Sequence, residues 1–150
     1  MQWKVCLDTI EVVAIIRRKY ELITLRKEDN KVHEITNDRG TVQLATSSSS
    51  GVDAFTPGDY INSSIAICIG LNLDALIERD NLDIPGYSIE INGTKSEDAR
   101  PSRMEKFDVK IVYDGEVDDK VKNRLTKSAK RACTMGNTIE HGVPINVTFE

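Results

Sequence analysis

Residues 56–81 read TPGDYINSSIAICIGLNLDALIERDN, and this run decides the fold class. Thr56 is a good helix N-cap and Pro57 belongs at the first helical position. Asp59, three residues after the cap, can complete a capping box and suits the positive end of a helix. From Tyr60 to Glu78 the residues Ile61, Ile65, Ile67, Cys68, Ile69, Leu71, Leu73, Leu76 and Ile77 make the middle apolar on nearly all sides. Such a helix is expected to be buried all round, in a core or against another subunit. Asp80, Asn81 and the pair Pro85-Gly86 end it.

On its N-terminal side lie four candidate strands rich in β-branched residues: Glu11 to Ile16, Tyr20 to Arg26, Lys31 to Thr36 and Thr41 to Ala45. Turn signals at Lys27 to Asn30 and at Asn37-Asp38-Arg39-Gly40 predict antiparallel hairpins. Glu11 to Ile16 also fits a helix, because a short apolar run cannot be assigned by periodicity alone. Ser47 to Asp53 reads as a mobile loop.

On the C-terminal side, Tyr87 to Asn92 and Phe107 to Tyr113 read as strands joined by a charged, proline-containing stretch. A second long helix is predicted over Glu116 to Met135, with the stripe Val117, Val121, Leu125, Ser128, Ala129 and Ala132. Its start is acidic and its end basic, and Gly136 is its expected stop. A last strand, Pro144 to Phe149, alternates Ile145, Val147 and Phe149 on one face. The sum is an α+β fold with two long helices laid on antiparallel sheet. It forms a single domain over 1–150, in which residues 1–36 are a strand-rich extension.

With 150 residues the chain can bury a core without staples. Its formal charge of -4 argues against nucleic acid as a partner. No stretch is expected to reach the roughly 20 apolar residues that span a bilayer, and no secretory signal is visible, so no membrane role and a cytoplasmic location are expected. Cys6, Cys68 and Cys133 are an odd count at scattered spacing, which reads as reduced thiols rather than a disulfide framework. His33 and His141 are isolated, so neither a metal nor a cofactor is expected.

Thr56-Pro57-Gly58-Asp59-Tyr60, running on to Ile65-Ala66-Ile67-Cys68-Ile69-Gly70-Leu71, resembles the proline-acid, apolar-helix, cysteine signature of the OsmC/Ohr family of osmotically inducible and organic-hydroperoxide-resistance proteins. Ser128-Ala129-Lys130-Arg131-Ala132-Cys133, followed by Thr138 to Ile145, resembles that family's second cysteine helix and closing strand. The likeness covers about Asn37 to Glu150 and agrees in order, spacing and helical context. It implies an OsmC-like fold and an intertwined homodimer with sites at the subunit interface. The implied activity is thiol-dependent reduction of organic hydroperoxides to alcohols. Cys68 would be the attacking thiol and Cys133 the resolving one, with Asp59 and Arg39 filling the family's acid and arginine positions. An external dithiol, from a lipoylated or thioredoxin-like protein, would reopen the disulfide.

The chain departs from the hydroperoxide-resistance branch at Gly58, where that branch has glutamate, and at Thr134, where proline often follows the cysteine. Both departures place it nearer the OsmC-like branch. Arg17 and Arg18 compete with Arg39 as the early arginine. On an ideal helix Asp59 and Cys68 lie about 13 Å apart along the axis and on opposite faces, so Asp59 cannot serve its own chain's thiol. Its capping role accounts for it without catalysis. Burial in an apolar helix raises a thiol's pKa, so activation of Cys68 requires a cation from elsewhere in the fold. Cys6, outside the likeness, reads as structural. A second reading is a non-catalytic protein that holds a hydrophobic ligand or senses redox state, and a third, weaker one is a metal-dependent enzyme.

Overall fold

The computed structural model describes residues 22–149, and the expected strand Glu11 to Ile16, together with Cys6, Arg17 and Arg18, lies outside them. The chain divides into two compact units, Met1–Thr56 and Pro57–Glu150. In the first, β1 (Ile23–Arg26), β2 (His33–Asn37) and β3 (Val42–Ala45) form an antiparallel meander. Leu25 pairs with Ile35 and Ile35 with Gln43. Both turns fall where expected. Asn37 Oδ1 accepts from the backbone N–H groups of Arg39 and Thr41, and Gly40 takes the left-handed φ of 81° that closes the hairpin.

In the second unit α1 (Pro57–Arg79) starts at the expected proline and is followed by the hairpin β4 (Tyr87–Lys95) and β5 (Met104–Tyr113). Then come α2 (Asp119–Ala132) and α3 (Thr134–His141). Asp118 caps α2, its carboxylate accepting from the N–H groups of Lys120 and Val121. The core is Ile65, Ile69 and Leu73 of α1 against Leu125 and Ala129 of α2, with Cys133. Tyr87, Ile89, Ile91, Phe107, Ile111 and Tyr113 of the hairpin pack on this cluster.

Gly70 lets β4 approach α1. A Cβ there would stand 3.2 Å from the Tyr87 hydroxyl, which lies 2.9 Å from the Gly70 carbonyl and 2.6 Å from Asp74 Oδ1. Burial and the Asp74 carboxylate push this phenol up to about 12.

Three expectations are corrected. First, the core of this chain does not by itself bury α1 all round: Ile67 and Leu71 are 62% and 64% exposed, because α2 and the hairpin cover one side only. This helix is also long and apolar enough to cross a membrane by length and composition, against the expectation that no stretch would be, although it carries the core. Second, there are three helices among the described residues rather than two, since the predicted Glu116 to Met135 helix breaks at Cys133 and Gly136 lies inside α3. Third, Pro144 to Phe149 forms no strand. Its apolar alternation suits a sheet, but a strand needs a ladder partner and the segment pairs with none of the described strands. Ile145, Val147 and Phe149 are 86%, 87% and 99% exposed.

The C-terminal end of α1 is tied to α2 through Asp80, which pairs with Arg79 at 2.8 Å and with Arg124. These hydrogen bonds, Arg79 first, hold its carboxyl at about 2. Because the folded value is depressed, the contribution is complete above the unfolded carboxylate value of about 4 and is lost as pH falls toward 2. Asp80→Asn is therefore expected to melt below wild type near neutrality, with the gap closing on acidification. A constant gap in thermal melts across that range would show that the charge is not what the substitution removes.

Candidate functional site

Two thiols that are 65 residues apart in the chain meet in the second unit. Cys68 sits in the middle of α1, with Asn72 Nδ2 donating to its carbonyl at 2.7 Å. Around the helix it lies about 60° from Leu71, so it borders the open face carrying Ile67 and Leu71 and is half-buried. Cys133 is 1% exposed and belongs to the core.

Cys133 is the joint between α2 and α3. Its backbone, at φ -69° and ψ 104°, leaves the helical region, and its sulfur accepts from the Gly136 N–H at 3.2 Å, which caps α3. Cysteine is outside the usual N-cap set of Ser, Thr, Asp and Asn, so sequence carries no signal for this break. Burial pushes the Cys133 thiol up, and the neighbouring Cys68 thiol pushes the same way. The Gly136 and Met135 N–H groups pull down against both and do not win.

Beside Cys133 runs an apolar groove of about 630 Å³. Ile61, Ile65 and Ile69 of α1 line it, with Phe107 and Val109 of β5 and Ile139 of α3; Cys133 is in its wall and Cys68 is not. Two acids and two bases, Glu105, Lys106, Lys130 and Glu140, stand at it. Lys130 and Glu140 pair at 2.7 Å. They are ten residues apart and would be about 15 Å apart on one straight helix, so only the break at Cys133 lets them meet. The aliphatics of α1 near Cys68 are thus divided between two sides. Ile65 and Ile69 face the groove, and Leu71 faces the open side.

The other two candidates are Asp59 and Arg39. Asp59 lies exposed in the first turn of α1, at the opposite end of the rise from Cys68. Arg39 is exposed at the tip of the β2–β3 hairpin in the first unit. Asp59 does not line the groove. Among the described residues no three of His, Cys, Asp or Glu converge to hold a metal ion.

A family profile for the OsmC-like protein matches residues 47–148. No curated protein matches the chain. Among solved structures, an OsmC-like protein of Mycoplasma pneumoniae superposes with a TM-score of 0.72 at 12% identity, covering 81% of this chain and 88% of its own. The organic hydroperoxide resistance protein OhrB of Bacillus subtilis gives 0.60 at 19% identity, over 79% and 89%. An organic hydroperoxide resistance protein of Elizabethkingia anophelis gives 0.64 at 12%, over 78% and 86%. At these identities the superpositions establish the shared fold.

Proposed function

The chain belongs to the OsmC-like protein family, and from that premise we propose that it is a thiol-dependent peroxidase reducing organic hydroperoxides to alcohols, acting as a homodimer. The observation that carries this reading is the meeting of Cys68 and Cys133, one thiol bordering an open apolar face and the other buried behind it. The family's organic hydroperoxide resistance proteins support the substrate class.

The Cys68 thiolate attacks the distal oxygen of the hydroperoxide. The O–O bond breaks, the alkoxide takes a proton and leaves as alcohol, and Cys68 becomes a sulfenic acid. The Cys133 sulfur then attacks the Cys68 sulfur. The S–O bond breaks, the hydroxyl leaves as water with the Cys133 proton, and a disulfide forms. Two electrons from an external dithiol restore the thiols. A reducing, cytoplasmic setting suits a cycle that must be reopened at every turn.

The dimer is supported by what one chain leaves uncovered. Ile67 and Leu71 beside Cys68 are open, and Val143 to Phe149 lies outside any helix or strand, alternates in apolar residues and is exposed. Apolar surface of this kind marks an interaction site. Asp59 and Arg39 enter as the acid and the arginine through the family likeness alone.

The raised pKa of Cys133 sets a pH dependence. Resolution needs the thiolate, so disulfide formation is expected to speed up as pH rises through and beyond the ordinary thiol range. Dimedone should therefore capture the most Cys68 sulfenic acid near neutrality and progressively less in alkaline buffer. Capture independent of pH would show that thiolate formation at Cys133 does not limit the step.

The apolar groove favours a second reading, a hydrophobic-ligand binder or redox sensor on the same fold. Consumption of tert-butyl hydroperoxide with dithiothreitol separates the two. Continuous turnover supports the peroxidase. Oxidation of the thiols once, without turnover, moves the reading to the sensor.

A further inference from the structure

The helix α3 has little to hold it. It is eight residues long with none of them buried, and a helix that short is marginal by itself. Its first turn is capped by the Cys133 sulfur, which accepts from the Gly136 N–H at 3.2 Å and interacts with the Met135 N–H as well. Two side-chain ties add to the cap. Asn137 Nδ2 donates to the Arg131 carbonyl at 3.1 Å, and Glu140 pairs with Lys130 at 2.7 Å.

The sulfur that caps α3 also adjoins Cys68. To bond, two sulfurs must come closer than any non-bonded contact, so at least one of them has to turn toward the other. Cys68 stands in the middle of the 23-residue α1, with helix on both sides and its carbonyl held by Asn72. Cys133 is the joint between two helices, at φ -69° and ψ 104°, outside the helical region. Its side chain is the freer of the two. A hydrogen bond weakens steeply as the acceptor leaves the line of the N–H, so the turn that makes the disulfide draws the sulfur away from Gly136. Deepening the peroxidase reading above and resting on its disulfide, we propose that α3 is a redox-sensitive element, capped by the Cys133 sulfur in the dithiol form and uncapped and loosened in the disulfide form.

The step balances. Two S–H bonds break and one S–S bond forms, and two electrons and two protons pass to the oxidant. In turnover that oxidant is the hydroperoxide, which yields alcohol and water. Diamide, which yields its hydrazine, makes the same bond whether or not a peroxide is a substrate. Because the cap exists in one form only, the coupling runs both ways: oxidation loosens α3, and a capped α3 favours the dithiol by the same factor. The Lys130–Glu140 pair, which needs α3 folded back on α2, weakens with it. Met135 and Ile139 of α3 are 36% and 37% exposed, so the state of a buried sulfur is displayed at the surface.

The test is hydrogen exchange at the α3 amides, among them Asn137 and Gly142, which donate to the Cys133 and Thr138 carbonyls. Reduced protein is compared with diamide-oxidised protein in which peptide mapping has located the Cys68–Cys133 bond and set Cys6 apart. Loss of one cap is expected to speed exchange across α3 about fivefold while the β4–β5 hairpin exchanges as before. Unchanged or slower exchange in α3, or equal acceleration in the hairpin, overturns the proposal. Gly136→Pro tests the reverse direction. It deletes the N–H that meets the sulfur, in a first turn where proline is tolerated, and a Cβ there stands 3.4 Å from the sulfur, an ordinary contact. Its disulfide equilibrium with dithiothreitol is expected to move about fivefold toward the oxidised protein. An unmoved constant in the folded variant overturns the coupling, and if the variant does not fold the wild-type exchange decides. Loosening of α3 without turnover of tert-butyl hydroperoxide supports the switch and overturns the peroxidase reading, whereas turnover with an unchanged α3 does the reverse. Absence of a Cys68–Cys133 bond after diamide overturns both.

Discussion

Cys68→Ser is expected to abolish turnover of tert-butyl hydroperoxide with dithiothreitol, by on the order of a thousandfold or more. The reacting group is the thiolate, and a serine hydroxyl is neither ionised near neutrality nor polarizable enough to open an O–O bond. The substitution barely changes volume at a half-buried position, so folding should survive and the loss can be assigned to chemistry. Cys133→Ser is the informative companion. It should keep the first oxidation, with one equivalent of alcohol formed and the Cys68 sulfenic acid trapped by dimedone, while sustained turnover falls because only external thiol can resolve it. If Cys68→Ser retains the wild-type rate while Cys133→Ser loses it, the two roles are exchanged. If neither variant differs from a weakly active wild type, the thiols are not the catalyst.

Leu73→Ala is expected to destabilise the protein by about 3–4 kcal/mol, the range for deleting a fully buried leucine where neighbours cannot close the gap. Leu73 is 0% exposed and belongs to the cluster that joins α1 to Leu125 and Ala129 of α2. That contact also holds Cys133 in place, since it follows directly on α2. Urea unfolding should show a lower midpoint with an unchanged slope. The same variant should form the Cys68–Cys133 disulfide more slowly, because α2 is less firmly held. A loss below about 1 kcal/mol would mean that the core relaxes around the missing side chain.

Much of this architecture was legible from residue order. Thr56 and Pro57 announced where α1 begins, and β1, β2 and β3 fell within a residue or two of the turn signals that bound them, among the described residues. The hairpin strands extended past their predicted ends, to Lys95 and back to Met104, because pairing continued through the Gly93 and Phe107 register into polar residues. The two cysteines were recognisable by order and spacing. Their surroundings were not: the groove, the Lys130–Glu140 pair and the sulfur cap of α3 all depend on a break that no local residue announces.

Helix starts, turns and the apolar alternation of strands are written within a few residues of one another, so sequence by itself determined where α1 begins, the hairpin turns and the strands that those turns bound. Tertiary structure alone decided which face of α1 is covered, which of the two sulfurs is buried and which lies in the wall of the groove. These are properties of packing between segments far apart in the chain, where burial and neighbouring dipoles act across space rather than along the backbone. For the same reason Pro144 to Phe149 carries a strand's pattern without being one: alternation specifies a face, and a strand exists only where its backbone pairs with a neighbour.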